Sequence, residues 1–396
     1  MATATFEVGT TTDAAFEELR RAALDVTPVS GLTHRFYRYP ARFSPTFAAT
    51  AIAQFSRPGD LILDPQMGGA TAIVEAIRLG RRAVGCDLNS LAVFVARVKT
   101  SVLSPAERAA IQRWGEEVVP SLLYSHTPED LERVICLRRT KNLTLPFARP
   151  LEKVMALALL TLDDTLPTAT ARDFARCALL NVGQWALNGR RRRTSAREFR
   201  QKLSATLEEM LDGLRELEGQ LTAHDRYAKP TLIHDSAENL SKHEPFCTEK
   251  AACAVSSPPY PGIHMLYHRW QVDGRRESPA PYWLADCQDG QGAAFYNFAD
   301  RRTRAIDAYF EMSLRTLKGI RSVLRDGAPF IQMIAFSDPV KHLPRYLENM
   351  RDAGFEEFLP AHTRRIQRRV PGRRWHATLK GQLNGAREIV LVHRAV

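Results

Sequence analysis

Apolar residues in this chain follow two periods, and the switches between them divide it into three stretches. The first thirty residues pattern as a short helical arm. Residues 45–55 carry apolar side chains at helical spacing, with Ser44 placed as cap and Pro45 in the first turn. Leu61-Ile62-Leu63-Asp64 is a four-residue apolar run of the kind that forms a buried strand. A glycine turn follows at 66–71, then a helix over 72–79, a second strand over 82–87 and a helix over 90–98. Strand, glycine turn, helix, strand is a βαβ unit, whose two strands run parallel.

From about residue 101 the period is helical throughout. Segments 104–123, 150–166, 170–187 and 194–221 all place apolar residues three and four apart, and Thr194 or Ser195 caps the last. Near residue 230 the α/β alternation resumes. Strands are expected at 229–235, 250–256, 328–336 and 387–395, with helices over 306–324 and 340–355 between the later ones. The expected fold class is α/β with a mostly parallel sheet, interrupted by an all-helical insertion. The parts are 1–100 (arm and first half of the α/β domain), 101–229 (insertion) and 230–396 (second half). No internal repeat or low-complexity segment is present.

Composition is that of a soluble globular protein, with 44% hydrophobic and 25% charged residues in 396. No apolar run approaches the roughly 18 residues of a membrane span, so no membrane partner is expected. The first residues lack the basic start and apolar stretch of a secretory signal. The six cysteines form no Cys-x-x-Cys pair, which argues against a disulfide framework or zinc site and for a cytoplasmic location. Charge changes the picture more: 55 basic against 44 acidic residues gives +11, a balance that suits a polyanionic partner such as nucleic acid. Four consecutive arginines, Arg190 to Arg193, precede the cap of the last insertion helix. They suit phosphate contact, although a solvated surface run has the same pattern.

Two places carry chemistry. The glycine turn follows the first strand, at the edge of the sheet where open α/β folds bind ligands. Gly68 and Gly69 permit close approach of the backbone. Asp87 ends the next strand, about 20 residues on, where an acid accepts hydrogen bonds from ribose hydroxyls. A nucleoside-containing cofactor is therefore indicated. The second place is Ser256-Ser257-Pro258-Pro259-Tyr260, at the end of an apolar strand. Consecutive prolines lack N–H groups and have fixed φ, so they make a stiff corner whose carbonyls are held in place. After Tyr260 aromatic and basic residues interleave, including His268, Arg269, Trp270, Arg275 and Arg276. That mixture suits unstacked nucleic acid; a packed lid is the other reading.

Asp64-Pro65-x-x-Gly68-x-x-Thr71 after a strand, an acid ending the next strand and Ser257-Pro258-Pro259-Tyr260 ending a later one together resemble the S-adenosylmethionine-dependent DNA amino-methyltransferases. The serine resembles the cytosine-N4 branch. The resemblance covers about 34–100 and 230–395, leaving the insertion outside. It implies a Rossmann-like class I methyltransferase fold and S-adenosyl-L-methionine as cofactor. The implied cofactor residues are Pro40, Phe43, Ser44, Asp64, Pro65, Gly68, Gly69, Thr71, Asp87, Leu88, Asp235 and Ser236. The implied catalytic residues are Ser257, Pro258, Pro259 and Tyr260, with Ser257 and a backbone carbonyl accepting from the base amine and Tyr260 stacking the base. No metal is implied. The expected partner is double-stranded DNA with the target base flipped out, gripped by Arg190, Arg191, Arg192, Arg193, His268, Arg269, Trp270, Arg275 and Arg276. A cognate restriction enzyme is a further candidate partner. Where the family reads Asp-Pro-Phe-x-Gly-x-Gly-Thr, this chain has Gln66 for the aromatic and Ala70 for the second glycine, which bears on cofactor affinity. Adenine-N6 methylation, RNA-base methylation and a non-catalytic DNA-binding role stay open from sequence.

Overall fold

The computed structural model describes residues 10–39, 43–123, 131, 135, 139–190, 192–224, 227–261, 269–274, 276–288, 303–358, 365–369 and 387–396. Within them, α1 (Thr10–Leu24) and α2 (Pro45–Phe55) precede β1 (Leu61–Asp64), α3 (Thr71–Arg78), β2 (Arg82–Asp87) and α4 (Ser90–Lys99). Ser44 caps α2 by accepting from the Phe47 N–H at 3.2 Å, with Pro45 in the first turn as expected.

The helical stretch contains α5 (Pro105–Arg113), which continues in a wider turn to Ser121, then α6 (Arg149–Thr165), α7 (Ala169–Leu187) and α8 (Ala196–Leu221). Ser195, not Thr194, caps α8: its hydroxyl accepts from the Glu198 N–H while the Glu198 carboxylate accepts from the Ser195 N–H. The second α/β stretch holds β3 (Thr231–His234), β4 (Cys253–Ser256), a hairpin of β5 (Trp270–Val272) and β6 (Arg276–Ser278), and the short α9 (Ala280–Leu284). It ends with α10 (Thr303–Ser322), β7 (Pro329–Ala335), α11 (Pro339–Asp352), β8 (Phe355–Glu357), β9 (Gln367–Arg369) and β10 (Arg387–Ala395). The β5–β6 hairpin, β8 and β9 are absent from the sequence reading. At three residues each they are too short to show a period.

The main sheet has the order β3-β2-β1-β4-β7-β10-β8, with β9 also on β10. The links from β3 through β7 are parallel, and β10 lies antiparallel to β7 and β8. This is a mixed α/β fold with a mostly parallel, Rossmann-like sheet. Strand β1 is central: Leu63 pairs with Val84 of β2 on one side and Ala254 of β4 on the other.

Strand side chains alternate between two cores. Leu61 and Leu63 face one cluster with Phe310, Leu317 and Tyr346 from α10 and α11. Ile62 faces the other, with Phe47, Ile52 and Ile73 from α2 and α3 and with Leu217 and Leu221 from α8. A third cluster joins α6 and α7 to Leu91 and Val95 of α4 and to Trp270, Tyr282 and Trp283. Among the described residues no helix is long and apolar enough to cross a membrane.

Helix α7 meets β5 at Gly183, where a Cβ would lie 2.3 Å from a ring carbon of the fully buried Trp270. Gly183→Ala is expected to lower unfolding free energy by about 1–3 kcal/mol through overpacking. Gly219→Ala on α8 meets nothing within 4 Å and should raise it by up to about 1 kcal/mol through helix propensity. Denaturant unfolding checks both; equal effects would show that the Gly183–Trp270 contact does not constrain the fold.

Candidate active site

The glycine turn leaves β1 at Asp64 and folds back over β2. The Met67 N–H donates to the Cys86 carbonyl at 3.0 Å and the Gly68 N–H to the Asp87 carboxylate at 2.9 Å. Asp87 also accepts from the Asn89 N–H at 2.8 Å. Gly68 is left-handed at φ +44°. Ala70 is left-handed too, at φ 58° and ψ 28°. An L-residue there is disfavoured by roughly 1–2 kcal/mol, whereas glycine adopts this conformation readily.

The space beside both glycines is already filled. A Cβ on Gly69 would sit 2.9 Å from the Tyr39 Cβ, and one on Gly68 3.2 Å from the Tyr39 ring. The Cβ side of both glycines thus faces Tyr39. From below, the fully buried Lys99 ammonium donates to the Gly69 carbonyl at 2.7 Å. The turn is therefore clamped by Asp87, Tyr39 and Lys99. Neither Tyr39 nor Lys99 was found from sequence, because partners 30 residues apart leave no local signal.

Charge at the turn is unusual. Burial lifts the Asp64 carboxyl well above the ordinary range, with the Asp87 charge adding to it and the Gln66 N–H opposing. Burial also lifts Asp87, to about 6, against the Asn89 and Gly68 N–H groups and His234, which lower it. Two carboxyls whose burial disfavours their charge, at the ends of adjacent strands, are suited to a cationic or hydroxyl-rich ligand. On that ground the donor set fits the sulfonium, ammonium and ribose of S-adenosylmethionine.

The other cofactor candidates fall into three groups. Pro65 and Thr71 are buried at the ends of the turn, and Leu88 is half-buried beside Asp87. Phe43 packs on Phe47 at 5.6 Å and Ser44 is occupied as the α2 cap, so the described contacts of both serve the fold; Pro40 lies outside the described residues. Asp235 follows β3, where its carboxylate accepts from the Ser236 N–H, the Asn239 amide and, at 2.7 Å, the His243 ring. Burial raises it, but those three bonds together hold it below the usual range. Ser236 caps the following turn by accepting from the Glu238 N–H.

The Ser-Pro-Pro-Tyr corner leaves β4 next to the glycine turn because β1 and β4 are paired. The two are joined directly: the Ser256 hydroxyl donates to the Gln66 side-chain carbonyl at 2.7 Å. Gln66, which replaces the family aromatic, thus ties one motif to the other. Ser257 and Pro259 are half-buried and Pro258 is buried. The Tyr309 hydroxyl donates to the Pro259 carbonyl at 2.6 Å and the Ser337 N–H to the Pro261 carbonyl at 3.2 Å, so the corner is pinned from α10 and from the end of β7. Tyr260 is 6% exposed, and its hydroxyl donates to Glu388 at 3.0 Å. This corrects the expectation of an open stacking face: the ring is covered.

The basic residues are partly assembled. The Gly189 N–H donates to the Gln271 carbonyl and the Gln271 N–H to the Asn188 side chain, so the β5–β6 hairpin docks on the loop after α7. Arg190, Arg193 and Arg276 consequently line one cleft of about 830 Å³ with Phe147, Gln271 and Asp273. Arg190 lies 4.2 Å from the centre of the Trp185 ring. Arg192 is paired with Glu198 at 2.7 Å and belongs to the α8 cap. Arg269 is half-buried. Trp270 is a correction: at 0% exposure it is core, and an aromatic among basic residues reads alike whether it faces inward or outward. Arg191, His268 and Arg275 lie outside the described residues. Among the described residues no group of three or more His, Cys, Asp or Glu could hold a metal.

Residues 18–96 match the DNA methylase family of N6 and N4 amino-methyltransferases. That segment holds the glycine turn and Asp87, and it establishes the resemblance to the DNA amino-methyltransferases there; the Ser-Pro-Pro-Tyr corner lies beyond it. The chain is 33% identical over 84 residues to the Type II methyltransferase M.MvaI of Kocuria varians, covering 20% of this chain and 18% of that protein. It is 29% identical over 66 residues to M.MjaII of Methanocaldococcus jannaschii, covering 17% and 12%. The chain thus spans less than a fifth of the length of these curated relatives. Similar solved structures include TrmN from Thermus thermophilus (TM-score 0.34, 10% identity, 89% of this chain and 49% of that one). Another is the rRNA methyltransferase aviRa from Streptomyces viridochromogenes (TM-score 0.35, 9% identity, 91% and 89%).

Gly69→Ala is expected to lower stability by about 1–3 kcal/mol, because the new methyl must displace Tyr39. Thermal unfolding measures it. A wild-type midpoint would mean that Tyr39 does not close the turn.

Proposed function

We propose that the chain is an S-adenosylmethionine-dependent DNA methyltransferase that methylates the N4 amine of a flipped-out cytosine. One observation carries this reading. The glycine turn and the Ser-Pro-Pro-Tyr corner leave adjacent parallel strands at the same sheet edge and are joined by the Ser256–Gln66 bond. A donor held at the first meets an amine held at the second.

Asp87 would take the ribose hydroxyls on its remaining lone pairs, and Asp64 would face the cationic end of the cofactor. S-adenosylmethionine supplies, when bound, a methyl group already activated on a sulfonium. What the protein must do is aim the amine. The exocyclic nitrogen lone pair of cytosine is delocalised into the ring, and acceptors placed at its two N–H bonds draw it towards a tetrahedral geometry. Ser257 and the Pro258 carbonyl are those acceptors, on a corner stiffened by two prolines and pinned by Tyr309. The cleft of Arg190, Arg193 and Arg276 would hold backbone phosphates. Serine in place of the Asp or Asn of the adenine enzymes supports cytosine. The protein would act on host DNA in the cytoplasm, where a restriction enzyme of matching specificity is its natural counterpart.

Mass spectrometry of nucleosides from DNA and RNA of cells with and without the protein tests this. N4-methylcytosine in DNA is expected. N6-methyladenine in DNA would overturn the base assignment, methylated RNA bases alone the substrate, and no new methylated nucleoside the activity.

Cofactor binding should also depend on pH, with Asp87 as the titrating group. Its carboxylate accepts ribose hydroxyls best when ionised, and burial places its titration near 6. Affinity for S-adenosylhomocysteine should therefore be constant above about pH 7 and fall as pH drops through 6, approaching tenfold per unit. The same raised value means that Asp87 adds to folding stability below the ordinary carboxylate range and loses that contribution as pH rises through about 6. Calorimetry from pH 5 to 8 should show the slope in the wild type and not in Asp87→Asn; a flat wild-type profile would remove Asp87 from the cofactor site.

A further inference from the structure

The β5–β6 hairpin has one face in the core and one at the arginine cleft. Trp270 and Val272 are buried in the cluster that joins α6 and α7. Gln271 lies between them on the strand and so points the other way; it is half-buried and lines the cleft with Arg190 and Arg193. The strands turn through Asp273 and Gly274, both left-handed at φ 46° and 89°. Aspartate and glycine tolerate that conformation best. The bonds that attach the hairpin run to its main chain. The Gly189 N–H donates to the Gln271 carbonyl at 2.8 Å, the Gln271 N–H to the Asn188 side chain at 2.9 Å and the Asn142 amide to the Glu277 carbonyl at 2.8 Å. The Gln271 and Asp273 side chains take no part in that attachment.

The chemistry of the cleft is mixed. A surface that only grips phosphate needs only donors and positive charge. This one adds a carboxylate and a carboxamide to its three arginines. Asp273 is more than half exposed and 3.4 Å from Arg276. Its charge repels phosphate and offsets part of the positive potential around it. What a carboxylate accepts instead is an amine. On the base edges of the major groove, Asp or Glu accepts from the cytosine N4 amine and Gln or Asn pairs with two atoms of adenine. That groove also admits a two-stranded ribbon. The main chain of both cleft walls is open to approach, since a Cβ on Gly189 or on Gly274 would meet nothing within 4 Å.

We propose that the β5–β6 hairpin reads DNA sequence, with Gln271 and Asp273 meeting base edges in the major groove while Arg190 and Arg193 hold the phosphates beside them. This rests on the DNA methyltransferase reading above and deepens it, by naming the residues that select the site. Arg276 orients the Asp273 carboxylate through their ion pair. The helical stretch supports the reader: Gly183 of α7 seats Trp270, and the loop after α7 carries the arginines. Recognition and chemistry then share one stretch of chain, because the hairpin follows soon after the Ser-Pro-Pro-Tyr corner.

Selection of bound sequences from randomised duplex DNA, with S-adenosylhomocysteine present, tests this without relying on turnover. The wild type should enrich a defined motif. Asp273→Asn keeps a residue that tolerates the left-handed turn. It should move the preference at one motif position from cytosine towards adenine, as a carboxamide replaces a carboxylate. Gln271→Ala should lose the preference at a different position. Each change in relative affinity should be about 5–150-fold, with the salt dependence of non-specific binding kept. Arg193→Ala should instead weaken all sequences alike and lower the slope of log affinity against log salt by up to about 0.9. The wild-type motif retained by either Gln271→Ala or Asp273→Asn, or DNA bound by the wild type with no motif, would overturn the reader. Failure of the wild type to bind DNA at all would instead overturn the proposed function.

Discussion

The pairing of β1 with β4 is the constraint on which the rest of the molecule depends. Those strands are adjacent although some 190 residues separate them in the chain, and each ends in a motif. Parallel pairing sends both motifs out of the same edge of the sheet. The Ser256–Gln66 bond then continues the connection past the last ladder residues. Without that pairing the glycine turn and the proline corner would be two unrelated loops.

Around this edge several polar groups are held by partners distant in sequence. Lys99 reaches the Gly69 carbonyl, Tyr309 the Pro259 carbonyl and Glu388 the Tyr260 hydroxyl. A buried polar group left unpaired is costly, so each bond fixes its loop in one arrangement. A reaction that relies on aiming a poor nucleophile needs this kind of preorganisation. The remaining tension is electrostatic: burial disfavours the charged forms of Asp64 and Asp87, and a cationic ligand would relieve it.

Much of the fold was legible in the sequence because its signals are local. The Ser44 cap, the βαβ unit around Gly68 and the helical period of 104–221 all declare themselves within a few residues. The two motifs declare themselves as well, through glycine and proline geometry. What stayed hidden is what touches them. Gln66 and Ala70 read as departures from a family pattern. In the structure Gln66 is the tie between motifs and Ala70 a left-handed residue under strain. Trp270 misled because its neighbours are basic, whereas its ring fills the gap above Gly183. Of the arginine run, Arg190 and Arg193 share a cleft with Arg276 only because the β5–β6 hairpin docks beside them.

A crystal structure with S-adenosylhomocysteine bound is the most direct measurement of the central claim, that the two motifs form one transfer site. The expected result has the ribose on Asp87 and the thioether sulfur facing the gap between Gln66 and Ser257. A ligand seated elsewhere, or with its sulfur turned from the Ser-Pro-Pro-Tyr corner, would contradict it.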